Sequence, residues 1–137
     1  MKTYTLDTNI ISYLMKGTHK INESLTDLIE AGDQIVINPI SYYEICRGLI
    51  AINATKKLDQ FKNMCDVFGI PEINRDVLDN AAQIYSELKA KGELIEDADI
   101  LIAAICLSNN YVLATNNAKH FKKINGLVVE NWVDNHT

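Results

Sequence analysis

Apolar positions in this chain fall into short β-branched runs separated by longer stretches with helical spacing. Thr3–Leu6 reads as a strand that passes directly into a helix from Thr8 to about Lys16. Within His19–Ala31, the residues Ile21, Leu25, Leu28 and Ile29 keep to one helix face, and Gly32 supplies the stop. Gln34–Ile37 predicts a second strand. From Ser41 a helix carries Tyr42, Ile45, Cys46, Leu49 and Ile52. A more polar helix with Leu58, Phe61 and Cys65 on one side ends near Gly69. Ile70–Ile73 predicts a short strand despite Pro71, a residue that cannot donate to a strand ladder. Asp76–Lys91 is amphipathic through Val77, Ala81, Ile84, Tyr85 and Leu88, with Gly92 as its stop. A helix over Asp97–Leu107, a strand over Tyr111–Ala114, a helical turn over Ala118–Lys123 and a strand over Leu127–Val129 complete the pattern.

Strands separated by helices imply a mostly parallel sheet covered on both faces, a three-layer α/β/α arrangement. Function in such sheets gathers beyond the carboxyl ends of the strands, where strand order reverses. A length of 137 residues suits one domain over 1–137. The longest apolar run, Ile100 to Leu107, is too short to span a bilayer, and MKTYTLDTN lacks the apolar core of a signal peptide. Cys46, Cys65 and Cys106 form no CxxC pair, so reduced thiols in a cytoplasmic protein are expected, with Cys106 in the core. The formal net charge of −5 counts mildly against a polyanionic substrate unless the carboxylates gather around cations.

Four features carry chemistry. Asp7-Thr8-Asn9 and Thr115-Asn116-Asn117 each follow a strand, where capping of free amides competes with a functional role. Glu96-Asp97-Ala98-Asp99 precedes eight consecutive apolar residues. A helix dipole accounts for one or two acids there, at ~0.3–1 kcal/mol each. Asp99 abuts the buried run, and a partly buried carboxylate needs a cation or hydrogen bonds to offset its desolvation. Glu44 either pairs with Arg47 at i+3 or joins Ser41 and Gly48 on a stripe where Gly48 admits a close backbone. Carboxylates from separate elements, converging through the fold, form an oxygen-only donor set suited to Mg²⁺ or Mn²⁺. His19, His120 and His136 have no zinc-ligand spacing. The helix after Pro39 is apolar on more than one face, through Tyr42, Tyr43, Leu49, Ile50 and Ile52. That surface is either buried or covered by a partner.

Leu6–Asn9, Glu44-x-x-Arg47-Gly48, Asp99-x-x-Ile102-Ala103-Ala104, Thr115-Asn116-Asn117 and Gly126-Leu127 with Glu130-Asn131-Trp132 occur in this order. Together they resemble PIN domains of the VapC toxin type over essentially the whole chain. The resemblance implies a sheet of about five parallel strands and an Mg²⁺- or Mn²⁺-dependent endoribonuclease acting on RNA. It further implies neutralisation by a cognate antitoxin, a homodimer, and contact with DNA only through the antitoxin. Asp7 and Asp99 match the family's principal metal ligands, and Glu44 matches its third acid, which commonly reaches the metal through water. Asn9 and Thr115 match groups that orient a carboxylate or a water, and Asp97 is either a further acid or a first-turn residue. Two departures from the pattern stand out: many relatives carry another acid near Asn117 or three residues on, where this chain has His120, and Glu96 replaces a frequent glycine.

Two enzymatic rivals fit less well. Dehalogenase-like phosphatases want an aspartate where Asn9 stands, and receiver domains want one where Asn38-Pro39 leaves the second strand. A non-enzymatic alternative is a PIN protein that acts mainly as a non-catalytic partner in a DNA-binding toxin–antitoxin repressor complex.

Overall fold

The computed structural model describes residues 1–133; His136 of the histidine argument lies outside them. Four strands form one parallel sheet in the order β2-β1-β3-β4: β1 (Thr3–Leu6), β2 (Gln34–Val36), β3 (Val112–Thr115) and β4 (Val129–Asn131). Helices α1 (Thr8–Lys16), α2 (Ile21–Glu30), α3 (Pro39–Ala51) and α4 (Thr55–Phe68) follow β1 and β2. Helices α5 (Arg75–Ala90) and α6 (Asp97–Asn109) precede β3, and the single turn α7 (Ala118–Phe121) links it to β4.

Alternation along the strands divides the core between the two faces, because successive side chains point to opposite sides. Tyr4 and Leu6 of β1, with Val112 and Ala114 of β3, pack against Ile10, Ile11, Ile21, Ile45 and Phe61 from α1 to α4. Leu113 points the other way, into a second cluster with Val77, Ile84 and Leu88 of α5 and Ile102–Cys106 of α6. The eight-residue apolar run therefore occupies a central helix, with Ile100 and Ile102 through Cys106 buried. Cys106 is a core residue, as expected.

The expected layering and parallel sheet are present, with four strands among the described residues where about five were expected. The missing one is Ile70–Ile73, which forms no regular element and joins no sheet. Ile37 N–H does reach Gly69 O at 2.9 Å. Pro71 has no amide hydrogen to carry the ladder further. Several boundaries also move. Pro39 opens α3 at a position where its missing N–H is harmless, and Asn38 caps that helix by accepting from Ile40 N–H. β3 runs one residue later than expected and takes in Thr115, while β4 starts at Val129, in register with Leu113.

The order β2-β1-β3-β4 reverses between β1 and β3. Their carboxyl ends, Leu6 and Ala114, lie side by side. Asp7 N–H donates to Ala114 O at 2.8 Å, extending this pairing to the first residue beyond β1. The crevice that an open parallel sheet offers to a ligand lies at this point.

Candidate active site

Asp7 is the first residue past β1 and the N-cap of α1. By strand alternation it shares a sheet face with Thr5, Leu113 and Thr115, the face on which α6 packs. The residue is 8% exposed and its carboxylate is held at both oxygens: Thr8 N–H donates to Oδ1 at 2.8 Å and Thr115 Oγ1 to Oδ2 at 2.8 Å. Thr115 is fully buried, and its hydroxyl oxygen also accepts from Asn117 N–H at 3.0 Å. Capping and site construction thus coincide, since the groups that satisfy the loop amides also fix the carboxylate. Burial pushes the Asp7 pKa up, and the charges of Asp99 and Glu44 push it the same way; the bonds from Thr115 and Thr8 partly oppose them.

Glu44 arrives from α3. Its Oε1 accepts from Thr8 Oγ1 at 2.7 Å, while Oε2 lies 3.8 Å from the exposed Arg47. Thr8 has one hydroxyl proton, so Ser41, whose Oγ is 3.1 Å away, is left to donate its own to Thr8. The pair with Arg47 coexists with this inward bond and, being largely solvated, contributes little. Gly48 does not admit a close backbone: a Cβ there would meet nothing within 4 Å. Asp99 stands in the first turn of α6, partly buried, with His120 Nε2 at 3.1 Å from Oδ2. The N-cap of α6, Glu96, makes no side-chain capping bond.

Asp7, Thr8, Asn9, Glu44, Asp99, Asn116, Asn117, His120 and Phe121 line one cavity of about 180 Å³. Of the six residues expected at a site, Asp7, Asn9, Glu44 and Asp99 share this cavity, and Thr115 supports it from behind through Asp7. Asp97 does not line it and is exposed on the first turn of α6. Thr8 belongs to the Asp7-Thr8-Asn9 motif but not to the six expected site residues. It looks like an ordinary first-turn residue in the sequence, and only the crossing of α1 by α3 brings Glu44 to its hydroxyl.

Three carboxylates around one cavity, one of them buried, repel each other unless protons or a cation intervene. The donor set is oxygen-rich and suits a hard divalent ion. Among the described residues no three acidic, histidine or cysteine side chains are drawn into a ready cage.

The sequence model of the PIN domain matches residues 4–127. The chain belongs to the PIN-domain family. Ribonuclease VapC2 of Rickettsia felis is 31% identical to this PIN-domain chain, across 94% of it and 97% of the relative. Two solved structures resemble it closely. One is VapBC-1 from nontypeable Haemophilus influenzae, with a TM-score of 0.84 and 30% identity over 95% of this chain and 98% of that one. The other is VapBC2 from Rickettsia felis bound to a DNA fragment from their promoter, with a TM-score of 0.80 and 31% identity over the same shares. The VapC-type resemblance read from the five motifs therefore holds for this PIN domain along nearly its whole length. Among its described residues, no helix is long and apolar enough to cross a membrane.

Proposed function

We propose that this chain is a cytoplasmic endoribonuclease toxin of one domain, dependent on Mg²⁺ or Mn²⁺ and neutralised by a cognate antitoxin. The observation that carries the proposal is the convergence of Asp7, Glu44 and Asp99 on one cavity at the strand-order reversal. Asp7 and Asp99 would hold the cation, with Glu44 beside it. When bound, such a cation supplies positive charge to phosphate oxygens and acidity to water. Thr115 and Thr8 keep the Asp7 carboxylate in one orientation, so little reorganisation is needed when substrate arrives. Glu44 has Oε1 engaged by Thr8, which leaves Oε2 to take a proton from the attacking water. Asn9, exposed on the first turn of α1, orients that water or a phosphate oxygen. Asp97 serves the positive end of the α6 dipole.

Attack by water that expels the 3′ oxygen, which takes up a proton from solvent, leaves a 5′-phosphate and a 3′-hydroxyl. The test is incubation of the purified protein with structured RNAs in Mg²⁺ or Mn²⁺, then in EDTA, with analysis of the product ends. Cleavage that persists in EDTA, or products ending in 2′,3′-cyclic phosphate, would defeat the proposal.

An apolar groove supports the antitoxin as partner. Ser12, Met15, Ile45, Leu49 and Ile52 line it, and it meets the acid cavity at Thr8 and Glu44. An antitoxin segment seated there would reach the carboxylates. Tyr43 and Ile50 of α3 are each 60% exposed, so burial within this chain does not account for that apolar surface. A second subunit covers it. The promoter-bound Rickettsia felis complex favours a further role, in which this chain joins a repressor and touches DNA only through the antitoxin. Should the protein prove inactive on RNA yet sharpen an antitoxin's binding to its promoter, that non-catalytic role would be the main one.

A further inference from the structure

One side chain in the acid-lined cavity differs in kind from its neighbours. Asp7, Thr8, Asn9, Glu44, Asp99, Asn116 and Asn117 can offer a cation only oxygen, because an amide nitrogen has no free lone pair. His120 offers an imidazole nitrogen. It is the third residue of α7, a single turn anchored by the fully buried Phe121. The two rings meet edge to face at 5.3 Å, which sets the imidazole orientation. Nε2 lies 3.1 Å from Asp99 Oδ2, and both side chains keep just over a quarter of their surface exposed, enough for a hydrated ion to reach them.

That spacing has a second meaning besides a hydrogen bond. Adjacent donors on an octahedral cation with bonds of about 2.1 Å stand about 3.0 Å apart. Nε2 and Oδ2 are thus already separated as two neighbouring positions on one ion would be. Mg²⁺ prefers oxygen, whereas imidazole suits first-row transition ions, whose affinity for such sites rises from Mn²⁺ through Co²⁺.

We propose that His120, through Nε2, binds a cation jointly with Asp99 and biases this site toward Mn²⁺ and similar ions over Mg²⁺. The proposal rests on the metal-dependent reading above.

The full-length protein, stripped of metal and titrated with Mn²⁺ alone, tests it by electron paramagnetic resonance. The expected results are imidazole ¹⁴N coupling on bound Mn²⁺ in the unaltered protein and its loss in both His120→Asp and His120→Gln. Competition with Mg²⁺ should show the Mn²⁺/Mg²⁺ affinity ratio of His120→Asp falling by roughly tenfold or more, within the range by which groups around a metal tune its affinity. Bound Mn²⁺ with no imidazole coupling in the unaltered protein would overturn the proposal, and that measurement requires no variant to fold. An unchanged ratio in His120→Asp would also overturn it, leaving His120 as a hydrogen-bond partner of Asp99. Failure of Mn²⁺ to bind at all, or binding unaffected by Asp99→Asn, would remove the metal-dependent reading and this proposal together.

Discussion

Replacing Thr115 by valine exchanges a hydroxyl for a methyl of similar size at a position with no solvent access. Shape is conserved, so the change isolates two hydrogen bonds. One is donated to the Asp7 carboxylate at 2.8 Å, and bonds to a charged group contribute about 1.5–3 kcal/mol. The other is accepted from Asn117 N–H, a neutral bond of about 0.5–1.5 kcal/mol. Burial of the added methyl returns about 0.8 kcal/mol, so the net loss should be about 1–4 kcal/mol. Urea denaturation followed by circular dichroism, in EDTA, would show a midpoint roughly 1 M lower.

The pH dependence sharpens this prediction. Burial already raises the Asp7 pKa, and loss of the Thr115 donor raises it further. An acid whose folded pKa is raised contributes stability that is complete below its unfolded pKa and is lost as pH rises through the folded value. The cost of Thr115→Val should therefore be larger at pH 8 than at pH 4.5. It should also shrink in an Asp7→Asn background, where no ionised acceptor remains. A cost equal at both pH values and in both backgrounds would refute the argument that Thr115 acts through the Asp7 charge.

Four further outcomes are expected. Asp99→Asn should abolish RNA cleavage and any thermal gain from Mg²⁺, while its melting temperature in EDTA stays equal to that of the unaltered protein or rises slightly. Mg²⁺ or Mn²⁺ at a hundredfold excess over its dissociation constant should stabilise the unaltered protein by about 2.7 kcal/mol, seen as a rise in melting temperature that EDTA reverses. Phe61→Ala, at a fully buried ring stacked on Tyr42, should cost about 3–5 kcal/mol by urea denaturation. At pH 8 a thiol-specific disulfide reagent should label the half-buried Cys46 of the native protein and spare the other two thiols until denaturant is added. Burial pushes Cys65 up to about 11 and Cys106 higher still.

Much of the scaffold was legible because its signals are local. The apolar run of α6 leaves no polar face to solvate, so its central place follows from composition alone. Asp7 at the end of β1 and Asp99 at the head of α6 are likewise visible as polar residues against apolar runs. Ile70–Ile73 misled for the opposite reason: β-branched residues favour extended backbone, but a strand exists only where a neighbour completes its ladder. The two-residue displacement of β4 has the same origin, since pairing with β3, not the apolar pattern, sets its register.

Residue order along the chain was enough to assign layers, a parallel sheet, a family and the acids worth watching, because periodicity and motif spacing act over a few residues. Folding alone joined Thr8 to Glu44 across 36 positions and Thr115 to Asp7 across 108, left Asp97 in solvent, and set His120 against Asp99. Those pairings depend on where β1 meets β3 and where α1 crosses α3. Such distances come from the packing of whole elements, and no local pattern encodes them.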